Sequence, residues 1–483
     1  MATHTNPKTA SSVTDTDTLS QLGAGELIER YRAGSLSPVT VIDAILERIA
    51  WTDPHLGAFA QVAVETAREA AAASAERWLR GHPSGLLDGV PVSLKDLLAV
   101  AGWPNRRGSL ATSYLPAHAD SPAAARLREH GAVILGTTAT AEFGLGGHAQ
   151  GRSGGATHNP WDPARTPGGS SSGAVAAVAA GLGPIAVGTD GGGSIRTPAA
   201  YSGVVGFKPT FGRVAHAPAS FIGVPAHVGP IARSVSDAAL LFGVLARPDR
   251  RDPFHLPQPP RPWHQQLAES LDGVRIGYTV ALEHAGAPHL DPDVARAFSA
   301  AVDRLRGIGA LVEEVTLDLP PAGPILRTLA AGRAALTVRG IPAGNRHLVG
   351  PEVQQRAAEG EALTGIAYLE AEAARVALAD AVAVAFEHID LLLTPATSTV
   401  APLLPVPGSV RPSGWSTPSY VGTFSLTRQP AISLPISLSS DGLPVAVQLV
   451  GRFGDDGLVL RAAHQLELSR GAFPRPDLAW IPG

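Results

Sequence analysis

Two glycine- and serine-rich clusters lie close together in the sequence, and their hydroxyl groups could serve as nucleophiles. They are TPGGSSSG (166–173) and GTDGGGSIR (188–196). An alcohol is a poor nucleophile until a base removes its proton, and neither cluster contains histidine. Lys95 lies upstream in the apolar stretch VPVSLKDLL, and a lysine, unlike an arginine, can lose its proton inside a protein. The pattern permits one site in which Lys95 activates a serine.

Backbone amides of the second cluster could stabilise negative charge on a reacting carbonyl oxygen. Because glycine has no Cβ, the chain at Gly191, Gly192 and Gly193 can approach a substrate closely. Each amide aimed at a developing oxyanion can contribute about 3–4 kcal/mol to catalysis of acyl transfer. We therefore expect these glycines to form an oxyanion hole, with Ser194 directly after them as the nucleophile.

Three other interpretations of the clusters stay open at this level. Glycine- and serine-rich runs are usually flexible linkers, although here each run is bounded by apolar segments. A phosphate-binding loop would need Lys-Ser or Lys-Thr after its glycines, and neither cluster has that pair. Residues 169–173 match the nucleophile-elbow pattern with Ser171 as nucleophile, yet the preceding HNPWDPARTP has little strand character.

Four segments together resemble the amidase signature family of serine hydrolases. The resemblance extends from about residue 20 to 470, and Lys95 precedes Ser170 by 75 residues, as Ser170 precedes Ser194 by 24. The segments are GVPVSLKDLLAVAG (89–102), NPWDPARTPGGSSSG (159–173), GTDGGGSIRTPAAYSGVVGFKPTFGR (188–213) and TRQPAISLP (427–435).

The resemblance implies a role for each residue of a catalytic triad. Ser194 corresponds to the nucleophile, Ser170 to a bridging serine that follows a cis peptide bond at Gly169–Ser170, and Lys95 to the base. Supporting hydrogen bonds are expected from three further residues: Ser171, Asp190 and Arg196.

The chain departs from the family pattern at two positions. Ser172 stands where the family usually has glycine, and Gly191 stands where it often has threonine or isoleucine. Neither departure removes a group of the triad. Because Gly191 would contribute a backbone amide, the chemistry is expected to survive.

Lys95 can act as a base only when it is uncharged. Its free pKa of about 10.4 must fall by roughly 2–3 units for it to act near pH 7–8. Burial in the apolar stretch lowers the pKa of a lysine, whereas the carboxylate of Asp96 would raise it. Because successive side chains of a strand face opposite sides, we expect Asp96 to point away.

The resemblance implies hydrolysis of the carbon–nitrogen bonds of amides through an acyl-enzyme, with aryl esters, anilides and carbamates (urethanes) as related substrates. One alternative is the glutamine-hydrolysing A subunit of a tRNA-dependent amidotransferase. That role would require a cation for the α-carboxylate, for which Arg333 and Arg339 are candidates, and a partner subunit. A second alternative is a catalytically inactive interaction protein, which would be expected to lack a serine or the lysine.

Four apolar side chains are candidates for the substrate pocket, although such residues are more often plain core. If they line the site, they favour an aryl or other hydrophobic substrate. They are Phe143, Phe221, Ile222 and Tyr420.

The elements that must position these residues alternate between strands and helices. Apolar runs at 90–94, 132–138 and 184–190 predict buried strands, and strands at 389–395, 431–438 and 443–451 follow later. Helices are predicted at 38–50, 62–79, 121–131, 292–308, 363–388 and 457–469.

This alternation indicates an α/β fold, and the resemblance implies one large domain with a central mixed, twisted sheet covered by helices on both faces. We expect a flexible N-terminal lead at 1–20 and a single domain at 21–483. Its catalytic core would span about 87–233, and a Pro-rich surface connection about 247–267.

Composition narrows the possible partners. The net charge of −4 provides no basic patch for nucleic acid, and the chain contains no cysteine. The first twenty residues do not resemble a secretory signal, and the most apolar run (174–188) is too short to span a bilayer. We expect a cytoplasmic enzyme with a small-molecule substrate, no cofactor, no metal and possible homo-oligomers.

Overall fold

The computed structural model describes residues 16–146, 150–151, 155–218, 224–282, 289–404 and 420–481. Within these ranges, eleven strands form one mixed sheet in the order β1-β3-β2-β6-β8-β7-β12-β13-β11-β9-β10. They are β1 (Phe59–Val62), β2 (Pro91–Lys95), β3 (Val133–Thr138), β6 (Ile185–Asp190), β7 (Val205–Lys208), β8 (His227–Ala232), β9 (Arg275–Tyr278), β10 (Leu311–Glu314), β11 (Leu391–Pro395), β12 (Ala431–Leu438) and β13 (Pro444–Gly451). A separate hairpin joins β4 (Gln150–Gly151) to β5 (Gly155–Ala156).

Fourteen helices accompany the sheet in the described ranges. The first seven are α1 (Thr16–Gln21), α2 (Ala24–Arg32), α3 (Pro38–Leu56), α4 (Val64–Leu79), α5 (Pro122–Glu129), α6 (Ser172–Ala179) and α7 (Arg196–Ser202). The others are α8 (Val235–Leu245), α9 (Pro292–Gly307), α10 (Ala322–Arg339), α11 (Pro351–Glu361), α12 (Gly365–Ala385), α13 (Gly422–Leu426) and α14 (Asp456–Arg470).

The two faces of the sheet bury different side chains, as an alternating strand requires. On β6, Ile185 and Val187 pack into a core with α8, α9 and α14, whereas Ala186 faces α6 and α7. Helices therefore cover both faces, which confirms the predicted fold class. β2 lies parallel to both β3 and β6, and β6 lies antiparallel to β8.

The predicted flexible lead at 1–20 is wrong for its last five residues. Residues 16–20 belong to α1 rather than to a flexible lead, because Leu19 and Ser20 are buried and α1 packs on α3. Residues 1–15 lie outside the described residues. The Pro-rich connection at 247–267 is largely at the surface, but Trp263 is buried and stacks on Phe242 at 4.2 Å.

Candidate active site

Lys95 is the last residue of β2 and is fully buried. The strand lies between β3 and β6, and all five of its residues are buried. Asp96 points elsewhere: its carboxylate accepts hydrogen bonds from the backbone N–H groups of Arg106 (3.2 Å) and Gly108 (3.1 Å). The amine therefore lies at the carboxyl end of an interior strand, without the charge of Asp96 beside it.

The Lys95 Nζ atom lies within hydrogen-bond distance of four oxygen atoms. The distances are 2.7 Å to Ser170 Oγ, 2.9 Å to Ser171 Oγ, 3.0 Å to Thr189 Oγ1 and 3.3 Å to the Thr189 carbonyl oxygen. Ser170 follows a cis peptide bond at Gly169–Ser170, as the resemblance implied. The structure thus brings the lysine and the first serine cluster together.

Burial lowers the pKa of Lys95 to about 7, and the charge of Asp190 opposes this shift. A buried ammonium loses its hydration, so the neutral amine is favoured. Near neutral pH a large fraction of the molecules therefore carries Lys95 as a base.

The second cluster links the end of β6 to the start of α7. Ser194 is half-buried there, and its carbonyl oxygen accepts a hydrogen bond from the Ser171 N–H at 3.2 Å. Its hydroxyl forms no hydrogen bond within the described residues, but Ser194 and Ser170 line the same cavity. Catalytic hydrogen bonds often form only once substrate is bound, so this geometry is compatible with proton transfer between the two serines.

Asp190 and Arg196 hold this loop through a fully buried ion pair. Asp190 accepts hydrogen bonds from Arg196 Nε at 3.0 Å, from Ser425 Oγ at 2.9 Å and from the N–H groups of Gly193 (2.7 Å) and Ile195 (3.2 Å). Burial alone would raise the pKa of Asp190, but the Arg196 charge and hydrogen bonds outweigh burial and hold the pKa well below its usual value. Asp190 is therefore an ionised anchor rather than a proton carrier.

The Gly193 amide is not free to stabilise an oxyanion, which corrects our prediction for that residue. Its N–H donates to Asp190 Oδ1 at 2.7 Å. Gly193 has φ +113°, and a Cβ there would lie 2.3 Å from Val421 Cγ2. The loop conformation therefore requires glycine at this position. Gly191 and Gly192 line the cavity beside Ser194, and they keep the expected position.

The cavity is largely apolar and contains one cationic side chain among its described lining residues. The empty space among its lining residues, open solvent included, is about 540 Å³. Apart from the two serines, Thr189 and the glycines, it is lined by Leu97, Phe143, Leu145, Val224, Ala226, Ala330 and Arg333.

Comparisons with known proteins show the family of the chain. The model of the Amidase family matches residues 40–460. The chain belongs to the amidase signature family. It is therefore a hydrolase of carbon–nitrogen amide bonds, and the alternative of an inactive interaction protein is set aside.

The chain is similar both to amidotransferase A subunits and to hydrolases of known structure. The glutamyl-tRNA(Gln) amidotransferase A subunit of Anaeromyxobacter dehalogenans is 36% identical over 95% of this chain and 98% of that protein. A bacterial aryl acylamidase has a TM-score of 0.85 at 28% identity, covering 93% of this chain and 96% of the solved one. The structure of 6-aminohexanoate cyclic dimer hydrolase also has a TM-score of 0.85, at 30% identity. That match covers 95% of this chain and 99% of the solved one.

One of the four residues expected in the substrate pocket lines the cavity. Phe143 lines the cavity, whereas Tyr420 is buried in the core beside α10 and α12 and donates its hydroxyl to the Val280 carbonyl at 2.9 Å. The prediction that Tyr420 lines the pocket was therefore wrong, because its ring is packed in the hydrophobic core. Phe221 and Ile222 lie outside the described residues.

The structure also separates the two candidate arginines. Arg333, on α10, lines the cavity. Arg339 has a side chain that is 70% exposed and pairs with Glu361 at 3.9 Å, so it is a surface residue.

Several residues around the site were not predicted from the sequence. Thr189 contacts Lys95, and its place directly before Asp190 was a signal that could have revealed it. Gln448 and Ser425 contact Arg196 at 2.6 and 2.7 Å, from segments more than 200 residues away. His227 Nδ1 lies 2.9 Å from the Asp190 carbonyl oxygen, which requires the tautomer protonated at Nδ1.

Among the described residues, no group of three or more His, Cys, Asp or Glu side chains is arranged to hold a metal ion. In the same part of the chain, every helix is too short or too polar to cross a bilayer.

Proposed function

We propose that this amidase works through Ser194 as nucleophile, Ser170 as proton relay and Lys95 as base. One observation carries the proposal: a fully buried lysine amine, with its pKa lowered to about 7, lies 2.7 Å from a serine hydroxyl that lines the same cavity as Ser194. A charged, exposed lysine could not remove a proton from an alcohol at neutral pH.

Acylation begins with two coupled proton transfers. Neutral Lys95 accepts the proton of Ser170 while Ser170 accepts the proton of Ser194. The Ser194 Oγ atom then attacks the substrate carbonyl, and the carbonyl oxygen becomes negatively charged. Gly191 and Gly192 lie beside Ser194 in the cavity, so their N–H groups are the donors that we assign to this oxygen.

Collapse of the tetrahedral intermediate releases the amine. Ser170 protonates the departing nitrogen and recovers its proton from Lys95, which leaves an ester between the acyl group and Ser194. A water molecule then attacks this ester as the same relay removes its proton. Collapse of the second tetrahedral intermediate breaks the bond to Ser194 Oγ, which regains a proton from Lys95 through Ser170, and the free acid leaves. Lys95 is neutral again at the end of the cycle.

The apolar lining of the cavity favours amide substrates with an apolar acyl or leaving group. Leu97, Phe143, Leu145 and Val224 offer carbon surface close to Ser194. Anilides, aryl esters and urethanes present the same carbonyl chemistry, so they are expected to react as well.

A test of the nucleophile uses the Ser194→Ala variant and a p-nitroanilide with an apolar acyl group. We expect kcat/KM to fall at least about 1,000-fold while the thermal unfolding temperature stays close to that of the wild type. In the wild type, mass spectrometry of an ester-treated sample should place the acyl group on Ser194. Normal turnover by Ser194→Ala, or an adduct on Ser170 or Ser171, would reject the proposal.

A second candidate function is glutamine hydrolysis as the A subunit of an amidotransferase. The 36% identity to the Anaeromyxobacter protein exceeds the 28% and 30% shared with the two solved hydrolases. Arg333 in the cavity also supplies a cation that a glutamine α-carboxylate would need.

Assaying the purified single chain distinguishes the two candidates. An independent amidase hydrolyses apolar amides and anilides without any added protein. An amidotransferase component would show little turnover alone, and its activity would favour glutamine over apolar amides. The ratio of the two kcat/KM values therefore decides between them.

A further inference from the structure

His227 is a buried histidine outside the proposed triad, and it contacts the start of the nucleophile loop. It is the first residue of β8 and lies opposite Asp190, the last residue of β6. Its Nδ1 atom lies 2.9 Å from the Asp190 carbonyl oxygen, so the ring carries a proton on Nδ1 and donates this hydrogen bond. Because only 3% of His227 is exposed, the contact is shielded from water.

The nucleophile loop is held at both of its ends through Asp190. The Asp190 carboxylate accepts hydrogen bonds from the N–H groups of Gly193 (2.7 Å) and Ile195 (3.2 Å), which fixes the far end. The Asp190 backbone carbonyl is held by His227, which fixes the near end. Between these ends lies Gly191, which lines the cavity and whose N–H group donates no hydrogen bond to another described residue.

The hydrogen bond to the Asp190 carbonyl also acts on the Gly191 N–H, because both groups belong to one peptide unit. This peptide is trans, so its C=O and N–H bonds point in opposite directions. Holding the carbonyl against the imidazole therefore directs the Gly191 N–H away from it. The same hydrogen bond polarises the peptide and makes its N–H a stronger donor. Since glycine has an unusually free backbone, the orientation of this peptide depends on such an external contact.

The imidazole of His227 is fixed by packing and is uncharged. The Phe211 ring meets it edge to face, with the ring centroids 5.7 Å apart. Burial holds the pKa of His227 well below its usual value, and the charge of Lys208 lowers the pKa further, against Asp190, which raises it. The ring therefore stays neutral near pH 7.

The second ring nitrogen indicates that the imidazole does more than fill space. His227 Nε2 is buried and has no hydrogen-bond partner within the described residues. Burying a polar atom without a partner is unfavourable, so an apolar side chain would be the better filler at this position. The hydrogen bond from Nδ1 is the contact that favours histidine here.

We propose that His227 is a positioning residue of the oxyanion hole. Its Nδ1–H holds the Asp190–Gly191 peptide in the orientation that aims the Gly191 N–H at the carbonyl oxygen of the substrate. The inference rests on the proposed function, in which the Gly191 N–H is one of the donors to this oxygen. Because the oxygen gains its negative charge only as the reaction proceeds, His227 contributes to kcat and little to substrate binding.

The first experiment measures kcat and KM of full-length variants on an apolar p-nitroanilide. His227→Leu and His227→Phe both lack the donor, and the phenylalanine variant keeps an aromatic ring beside Phe211 if leucine does not support the fold. We expect each to lower kcat about 10- to 100-fold while KM changes less than about threefold.

Two further variants separate the hydrogen bond from the loss of a buried ring. His227→Asn places an amide N–H close to the position of Nδ1 and should keep kcat within about fivefold of the wild type. His130→Leu is the matched control, because His130 is also buried and its Nδ1 accepts a hydrogen bond from the Leu86 N–H at 3.2 Å, at the end of α5. This control should keep the wild-type kcat.

A pair of inhibitors separates oxyanion binding from the shape of the pocket. Ser194 Oγ adds to the carbonyl carbon of a phenylethyl trifluoromethyl ketone while its proton passes to the relay, so the ketone oxygen becomes an oxyanion. The matching trifluoromethyl alcohol has the same skeleton but forms no oxyanion. His227→Leu and His227→Phe should raise Ki of the ketone about 10- to 100-fold and change Ki of the alcohol less than about threefold.

The role of His227 would be overturned by wild-type kcat in both donor-free variants, by an equal loss in His227→Asn, or by equal weakening of ketone and alcohol. In those cases the wild type would still form the ketone adduct on Ser194, so the proposed function would stand. A wild type that forms no adduct on Ser194 would instead reject the proposed function. Thermal unfolding of each variant shows whether a smaller folded fraction accounts for a lower rate.

Discussion

Ser171 Oγ donates its hydrogen to the Thr189 carbonyl oxygen at 3.2 Å, so its proton is already committed. Towards Lys95 Nζ, 2.9 Å away, this oxygen can therefore act only as an acceptor. A neutral amine has two N–H donors and one lone pair. With its donors occupied by Ser171 and Thr189, the lone pair remains for the hydroxyl of Ser170, the closest of its partners at 2.7 Å.

This division of roles predicts different effects for the two neighbouring serines. Ser170→Ala removes the proton relay and should lower kcat at least about 1,000-fold. Ser171→Ala removes only one hydrogen bond that orients the Lys95 amine, so it should lower kcat about 10- to 100-fold. Steady-state kinetics on one neutral anilide measures both. A larger loss in Ser171→Ala than in Ser170→Ala would show that the relay has been assigned to the wrong serine.

Gly193→Ala should impair both stability and turnover. The residue has φ +113°, and the new Cβ would lie 2.3 Å from Val421 Cγ2. Gly454→Ala is the matched control, because Gly454 has φ +97° but nothing within 4 Å of the added Cβ. We expect Gly454→Ala to cost about 1–3 kcal/mol of unfolding free energy with normal activity, and Gly193→Ala to cost more and lose activity. Similar behaviour of the two variants in denaturant unfolding and activity assays would argue against a packed nucleophile loop.

Asp190→Asn should strongly destabilise the protein. The substitution leaves the guanidinium of Arg196 charged and fully buried without its anion, and breaking such a pair typically costs about 3–5 kcal/mol. Glu76→Gln provides the comparison, because its partner Arg80 is exposed and such surface pairs contribute about 1 kcal/mol or less. Chemical denaturation of both variants tests this; a loss below about 1 kcal/mol in Asp190→Asn would contradict the anchoring role.

Ser172→Ala should leave the protein equally stable or more stable. The Ser172 hydroxyl is buried, and its oxygen has no hydrogen-bond partner within the described residues. An unsatisfied buried polar group typically costs about 1–3 kcal/mol, and alanine removes it while favouring the helix that begins there. An increase in the unfolding midpoint is expected in thermal scans. A decrease of more than about 1 kcal/mol in the free energy of unfolding would instead mean that the Ser172 hydroxyl has a hydrogen-bond partner in solution.

Local sequence patterns predicted much of the fold because buried strands and capped helices are encoded in neighbouring residues. The run at 184–190 became β6, and the serine–proline pair at 37–38 starts α3, with Ser37 accepting a hydrogen bond from the Val39 N–H. Helices α10 and α11 were missed. Arg333 therefore entered the cavity from an element that the prediction did not contain.

The site was only partly predictable, since its outer contacts join distant segments. Lys95, Ser170 and Ser194 were identified through motif resemblance, and the structure places the first two in contact. The use of the Gly193 amide by Asp190 and the packing of Tyr420 depend on tertiary geometry that the spacing of residues does not reveal. The contact between Arg107 and the ring of Phe143 joins residues that are 36 positions apart in the sequence. Local sequence patterns therefore could not predict it.

The pH dependence of kcat/KM on a neutral amide tests the central claim most directly. Because protonated Lys95 cannot accept a proton, kcat/KM should fall about tenfold per pH unit below an apparent pKa of about 7 and should be constant above it. Lys95→Arg, which keeps the charge but cannot deprotonate, should be inactive at every pH. A flat profile, a rising limb near pH 10, or substantial activity in Lys95→Arg would contradict a buried neutral lysine as the base.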